Sequence, residues 1–545
     1  MAKLYNMQKK RLYIIFPVIV LLAASSCQKH FLDNAPLTQY SDANVWQDSS
    51  LITRFVDNIY GNIISNYDFI GQSGLLASIT DESKLNNPGS YLTDNLVNTG
   101  QYTAASNIFD GYWAGSGNPS GVYVNVRNCN LFLAHLSTMP LSAATKTQLT
   151  GEVRFLRAFN YQFLYSLFGA FPIIATVLGI GNNGLYAQRA SNDSCIAFIL
   201  ADYNAAASVL PQQYFDPQDI GKATQGAALG MECRLLLNQK QYAAAAAAAQ
   251  AVMNLGVYSL FPDYEGMFYP QNDDNSEVIF NKEYGGDLTG QTNYVDLSEN
   301  SSFFTGYSGT QDCPTQNLVD QYEMTDGLPY TQSPLYDSTH PYANRDPRLA
   351  ASILYDSSVW MGNIMDMTPG SFYNPLGDES STGYMLRKFL NPNYQFYGNN
   401  TNYQNCIILR LAEIYLDYAE CELQLGNEEE ARTYVNLLRE RPSVNMPDIP
   451  VGQLTWNAYV QERTVELAFE GERFEDIRRW GVGPQLIGAA IYGMEVTDVG
   501  NIHQYQRVLV QQRYFDPKMY LFPIPLAELT KYPAGQVLQQ NPGWN

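Results

Sequence analysis

Two blocks of helical periodicity, separated by a long stretch without one, constrain the fold of this chain most. Apolar residues recur at helical spacing, and the pattern is clearest before Gly169 and Pro172, which predict a helix end. The predicted helices cover 47–64, 121–138, 142–168, 191–210, 222–238, 240–255, 406–426, 428–440, 453–470 and 472–480. A mainly α-helical scaffold is therefore expected from both ends of the chain.

The region between the two blocks has a different composition. Residues 256–405 are rich in Tyr, Asn, Gly, Asp and Pro, and only 277–281 and 384–390 suggest short strands. The tail 500–545 is also expected to be irregular. Segments 235–245 and 419–431 resemble tetratricopeptide helix hairpins, which bury their apolar faces by stacking. The predicted fold is tetratricopeptide-like hairpins with a large, loop-rich central region carrying a few short strands.

The first 27 residues have the pattern of a lipoprotein export signal. Lys3, Lys9, Lys10 and Arg11 precede the apolar run 12–24, which is too short to span a bilayer. Cleavage before Cys27 would leave this cysteine free to carry lipid. We expect a signal peptide at 1–26, a lipidated, extended leader at 27–46 and a single domain over 47–545.

Charge and reactive residues exclude several functions. The net charge of −21 disfavours nucleic acids and attachment to anionic lipid by a basic face. None of the four histidines has a ligand at metal-binding spacing, so no metal or cofactor is expected. Asp273 and Asp274 could touch calcium, but a solvated turn is the preferred interpretation. Six cysteines remain after Cys27, so disulfides are permitted but not implied.

One carboxylate pair suggests an enzyme. Glu466 and Glu470 lie four residues apart on one helix face, and a glycosidase needs two carboxylates around the sugar bond. Arg463, Arg473 and Arg478 lie close by in sequence. Ion pairing within the helical layer is therefore the simpler interpretation.

Aromatic and amide side chains cluster in the irregular regions. Flat rings pack against sugar C–H groups, and amides serve sugar hydroxyls as donor and acceptor. Burial in a small local core is the competing interpretation for each ring. As a group, the rings suggest a binding face on a rigid scaffold.

A series of short motifs occurs in order along the chain: FLD at 31–33, TDE at 80–82, EVRFLRA at 152–158, NRDPRL at 344–349, LRLAE at 409–413, ELAFEGERF at 466–474, FPIP at 522–525 and QNPGW at 540–544. In their number and order these motifs resemble the SusD/RagB family of outer-membrane nutrient-binding lipoproteins. The resemblance covers essentially the whole chain. It implies a tetratricopeptide-like helical fold and a non-catalytic, cell-surface lipoprotein anchored through Cys27 to the outer membrane. It also implies capture of oligosaccharides and their delivery to a partner, a SusC-like TonB-dependent barrel.

The resemblance places the ligand site in the loop after the TDE segment and in the central region. The residues that match these stretches are Asp81, Asn86, Tyr91, Tyr294, Phe303, Phe304, Tyr307 and Trp360. Three alternatives stay open: capture of peptides or another nutrient by the same lid-and-barrel mechanism, a purely structural lid, and a glycosidase using Glu466 and Glu470.

Overall fold

The structure is a computed structural model that describes residues 45–69, 75–86, 96–106, 109–114, 121–179, 181, 183–285, 291–306, 309–375, 380–394, 402–533 and 535–544. Among the described residues, 45–55 and 138–140 belong to one compact unit, and those within 56–137 and 141–544 belong to another. In the described part of the first unit, the Trp46 ring packs edge-on against Phe55 with centroids 4.9 Å apart.

Helices dominate the described chain. They are α1 Ser49–Gly61, α2 Asp110–Ala114, α3 Val122–His135, α4 Ala143–Phe168, α5 Asn192–Ala207, α6 Gln225–Asn238, α7 Tyr242–Asn254, α8 Val295–Glu299, α9 Ser302–Thr305, α10 Gln316–Val319, α11 Pro347–Ser352, α12 Leu411–Leu425, α13 Glu428–Arg439, α14 Trp456–Glu466, α15 Glu472–Trp480, α16 Gly483–Leu486 and α17 Leu526–Leu529.

Local sequence sets the ends of the long helices. Ser142 caps α4 by accepting a hydrogen bond from the Thr145 amide, and Thr455 caps α14 in the same way through the Ala458 amide. Gly426 ends α12 in the left-handed conformation, at φ 89°, which glycine adopts without strain. The tight turn that follows lets α13 fold back on α12.

The helices form a stack of hairpins. Each helix from α3 to α7 packs against the next, and α12 packs against both α7 and α13. The two periodic blocks of the sequence therefore belong to one scaffold, although about 150 residues separate them. Ala245 and Ala249 of α7 are fully buried, because small side chains allow helices to approach closely.

Strands are mostly short and pair in antiparallel twos. They are β1 Ser83–Leu85, β2 Val278–Lys282, β3 Asp312–Pro314, β4 Ile353–Leu354, β5 Val359–Trp360, β6 Asn363–Ile364, β7 Met385–Leu386, β8 Cys406–Arg410, β9 Ala490–Asp498 and β10 His503–Gln512. The pairs are β1–β3, β2–β8, β4–β7, β5–β6 and β9–β10.

Two hydrophobic clusters among the described residues support the central region and the helices that follow it. One lies among helices α12, α13 and α14 and includes Leu416, Val435 and Tyr459. The other fills the central region and includes Tyr322, Trp360 and Tyr384. The loop-rich region thus has its own packed interior, and its surface loops rest on a rigid base.

The expected fold class is confirmed, with two local corrections. Residues 406–410, expected at the start of a helix, form β8, because this run including Ile407 and Ile408 pairs with β2. The tail from residue 500 is not wholly irregular, since β10 continues from His503 to Gln512 and pairs with β9. Of the two predicted strands, 277–281 corresponds to β2, whereas 384–390 is reduced to β7.

Candidate functional site

Four aromatic side chains form a surface group in the central region. We call Phe303, Phe304, Phe372 and Tyr373 the ring cluster. The Phe303 centroid lies 4.9 Å from the centroids of each of the other three rings. Phe372 is 72% exposed and Phe303 is 38% exposed. The cluster therefore presents flat apolar faces to solvent.

The ring cluster is held by backbone and side-chain hydrogen bonds. Ser301 Oγ donates to the Tyr373 carbonyl at 3.0 Å, which ties the start of α9 to the segment that carries Phe372. The Tyr373 hydroxyl donates to Asn363 Oδ1 at 3.2 Å. Asn363 thus places an amide beside the rings, and sugar recognition uses this combination of groups.

Trp360 lies beneath this surface. It is 1% exposed, and its Nε1 donates to Asn300 Oδ1 at 3.1 Å. The guanidinium of Arg387 lies 5.3 Å from its ring centroid. Trp360 therefore belongs to the core that underlies the β5–β6 hairpin. Neither face of its ring is open to solvent or to a ligand.

The residues expected to bind ligand are dispersed. Phe303 and Phe304 lie in the ring cluster, and Tyr294, at the start of α8, is 56% exposed. Asn86 is half-buried, and its Oδ1 accepts a hydrogen bond from the Ser381 amide at 3.0 Å. Cys27, Tyr91 and Tyr307 lie outside the described residues.

Asp81 is buried in an ion pair. Its two oxygens accept hydrogen bonds from Arg473 at 2.8 and 2.7 Å. Burial acts to raise the pKa of the Asp81 carboxyl, but the charge and hydrogen bonds of Arg473 outweigh it and lower that pKa. The pair joins the TDE segment to α15 and leaves the carboxylate little capacity for a ligand.

Sequence reasoning did not single out Phe372. It follows a Gly370–Ser371 turn, where an aromatic residue could as well be a core anchor. The signal that could have identified it is the run of two aromatic residues, Phe372 and Tyr373, followed directly by the amide residue Asn374.

The carboxylates of the enzyme alternative lie inside a charged network. Glu466 accepts hydrogen bonds from Arg348, Arg410 and Arg441 at 2.8 to 3.0 Å. Glu470 accepts from Arg410 and from Lys388 Nζ, the latter at 2.7 Å. Burial opposes ionisation of Glu466, but the three arginines lower its pKa. The arrangement suits a structural ion network, in which cations already engage the oxygens of both carboxylates.

One further group of polar side chains lies beside the segment that carries the ring cluster. Ligand atoms of Asp356, Asp366 and His503 lie within 4.8 Å of one another. The Asp356 carboxylate already accepts hydrogen bonds from His503, Tyr505, Ser357 and the Met367 amide. We therefore assign a hydrogen-bonded group here and no metal site.

A separate cavity lies away from the ring cluster. Its volume is about 350 Å³, and its lining includes Phe159 and Phe163 of α4, Met231 of α6 and Phe474 of α15. Charged side chains on its wall form ion pairs with one another, such as that between Arg234 and Glu472 at 3.2 Å. We favour the ring cluster as the ligand site, because Phe303 and Phe372 are exposed to solvent and the Asn363 amide lies beside the rings.

Comparisons with known proteins find similar proteins for both the N-terminal and the C-terminal part of the chain. The SusD family profile matches residues 276–544, and a profile described as starch-binding associating with outer membrane matches residues 30–237. SusD-like protein P25 of Formosa agariphila is 24% identical over 547 residues, 96% of this chain and 97% of that protein.

Solved structures share the fold. A SusD-like protein from Bacteroides fragilis matches with a TM-score of 0.80 and 29% identity, over 94% of this chain and 100% of that chain. A SusD-like carbohydrate binding protein from the same species matches with a TM-score of 0.78 and 26% identity, over 89% of this chain and 98% of that one. Within the described residues, none of the helices combines the length and the apolar character needed to cross a membrane.

Proposed function

Because this chain belongs to the SusD/RagB family, we propose that it binds oligosaccharides at the cell surface and passes them to a TonB-dependent outer-membrane transporter. The observation that carries the proposal is the exposed ring cluster on a fold shared with a carbohydrate binding relative. We also propose Tyr294, which is 56% exposed at the start of α8, as a ligand residue.

The chemistry of the ring cluster fits a sugar ligand. The exposed faces of Phe303 and Phe372 would pack on the C–H groups of two sugar rings, while Asn363 and the Tyr373 hydroxyl would meet sugar hydroxyls. A micromolar dissociation constant corresponds to about −8 kcal/mol. Two stacked rings and a few hydrogen bonds can supply that amount.

The membrane link in this proposal is the lipid on Cys27, with the body of the protein outside the cell. Stable anchoring takes two or more acyl chains, because one chain binds membranes only marginally. The SusC-like barrel is the proposed partner that receives the glycan. The profile described as associating with the outer membrane supports this location.

We propose that the protein does not turn over its ligand. Glu466 and Glu470 each bond to buried cations, so neither is free to act as general acid or nucleophile toward a sugar. The glycan would then leave the protein unchanged for the transporter.

Isothermal titration against a panel of plant, host and microbial glycans tests the proposal. We expect one glycan class to bind saturably, without released product. Phe303→Ala combined with Phe372→Ala should weaken binding about 30-fold, since each stacked ring contributes on the order of 0.5–1.5 kcal/mol.

Phe215→Ala is the matched control, because Phe215 is 87% exposed and lies outside the ring cluster. This variant should bind like the wild type. If the glycan panel is silent and basic peptides bind instead, the nutrient is a peptide. Released product would overturn the non-catalytic part of the proposal.

A further inference from the structure

A buried carboxylate links the β9–β10 hairpin to the segment that carries part of the ring cluster. We call residues 355–374 the binding loop. Asp356 lies at its start, and its side chain is fully buried. Its Oδ2 accepts hydrogen bonds from His503 Nδ1 at 2.7 Å and from the Tyr505 hydroxyl at 2.8 Å, both on β10.

The same carboxylate holds the far half of the binding loop. Asp356 Oδ1 accepts a hydrogen bond from the Met367 amide at 3.0 Å. The Met367 carbonyl accepts from Asn374 Nδ2 at 2.9 Å, and the Asp366 carbonyl accepts from Ser371 Oγ at 2.5 Å. Hydrogen bonds therefore run from β10 through Asp356 to the turn that presents Phe372 and Tyr373.

The groups that face His503 are acidic or neutral. They are Asp356 and Asp366 on the binding loop, Asp498 on β9 and Tyr505 on β10, and Tyr342 packs edge-on against Tyr505. The hydrogen bond to Asp356 is the main cause of a raised pKa of His503; partial burial opposes it, and the three carboxylate charges add to it. The protonated imidazole is thus the direct cationic partner of a buried carboxylate.

We infer that His503 is a positioning residue whose protonated form fixes the binding loop and thereby makes the ring cluster pH-sensitive. Only the consequence for glycan affinity rests on the proposed function. A group whose folded pKa is raised stabilises the folded arrangement below that pKa. The contribution is lost as the pH rises through this raised pKa, so the loop should loosen, and glycan affinity should fall, as the pH increases above the ordinary imidazole value of 6.5.

Amide hydrogen exchange on the full-length protein in detergent, with EDTA present, tests this inference without a ligand. After correction for intrinsic exchange, protection at Met367 should be about five-fold lower at pH 8.5 than at pH 5.5. His503→Gln keeps a donor but removes the titrating charge. Its protection should stay near the wild-type value at pH 8.5 throughout.

Arg507→Gln is the matched control. Arg507 lies on the same face of β10, but it pairs with Asp320, outside the binding loop. This variant should keep the wild-type pH profile. The inference is wrong if wild-type protection does not change with pH, or if His503→Gln keeps the full change. If no glycan binds, the proposed function is wrong, but the exchange test still decides whether protonated His503 fixes the binding loop.

Discussion

At the residue scale, the aromatic side chains of the central region divide by exposure. Trp360 is buried and bonded to Asn300, whereas Phe372, twelve residues further along the chain, is largely exposed. Both residue types suit a sugar platform and a protein core equally well. Trp360 is buried and Phe372 is exposed because the β5–β6 hairpin turns the side chain of Trp360 inward.

Trp360→Ala should lower the free energy of unfolding by about 3–5 kcal/mol, because it opens a cavity in the core and removes the hydrogen bond from the indole to Asn300. Phe372→Ala should change it by less than about 0.5 kcal/mol, because little buried surface is lost. Urea denaturation measures both values. Equal effects of the two substitutions would contradict the assigned roles.

Glu466→Gln should destabilise the protein by about 3–5 kcal/mol at neutral pH, since three buried arginines lose a shared anion. The pKa of Glu466 is below its ordinary value of 4.5 in the folded state. Its contribution is therefore complete above pH 4.5 and is lost as the pH falls.

Chemical denaturation between pH 7 and pH 3 measures this dependence. The wild-type free energy of unfolding should fall more steeply below about pH 4.5 than that of Glu466→Gln. A variant that keeps wild-type stability and loses hydrolysis of a glycan would favour the glycosidase alternative.

At the scale of elements, periodicity predicts long helices well and short pairings poorly. The hydrophobic spacing of α4 is sufficient to locate it, because apolar residues recur at helical spacing over several turns before Gly169 ends the helix. β8 depends on a partner more than a hundred residues away, and its five residues also fit the start of a helix. β9 and β10 were missed for the same reason, since pairing and not local propensity defines them.

The packing of α7 gives a test of the helical stack. Ala249→Leu should cost about 1–3 kcal/mol, because the added side chain has no space where α7 packs against α6 and α12. Ala247→Leu is the matched control on the exposed face of the same helix. Thermal unfolding should show a lower Tm only for Ala249→Leu. Equal Tm values would contradict the packing.

At the scale of the whole molecule, the resemblance of ordered motifs predicts the fold but not the ligand. The motifs at 152–158 and 466–474 are buried parts of α4 and of the α14–α15 region, so they specify the scaffold. The ring cluster comes from α9 and the binding loop, where sequence patterns carry no period. Phe303 and Phe304 were identified, whereas Phe372 required the structure.

The burial and the free thiol state of the cysteines are also properties of the whole fold. Six described cysteines are buried and free of disulfides, which resolves the pairing question that their even number left open. Burial raises the pKa of Cys129 and of Cys406 to about 12. These thiols should not react with Ellman's reagent at pH 8 until denaturant is added, and reductant should leave the Tm unchanged. Rapid labelling of the native protein would contradict this burial.

The most direct test of the central claim is a crystal structure with a bound oligosaccharide from the class that the titration identifies. The claim predicts difference density for sugar rings against Phe303 and Phe372, with a hydroxyl near Asn363 and the glycosidic bonds intact. Density confined to the cavity between α4, α6 and α15, or a cleaved ligand near Glu466, would contradict it.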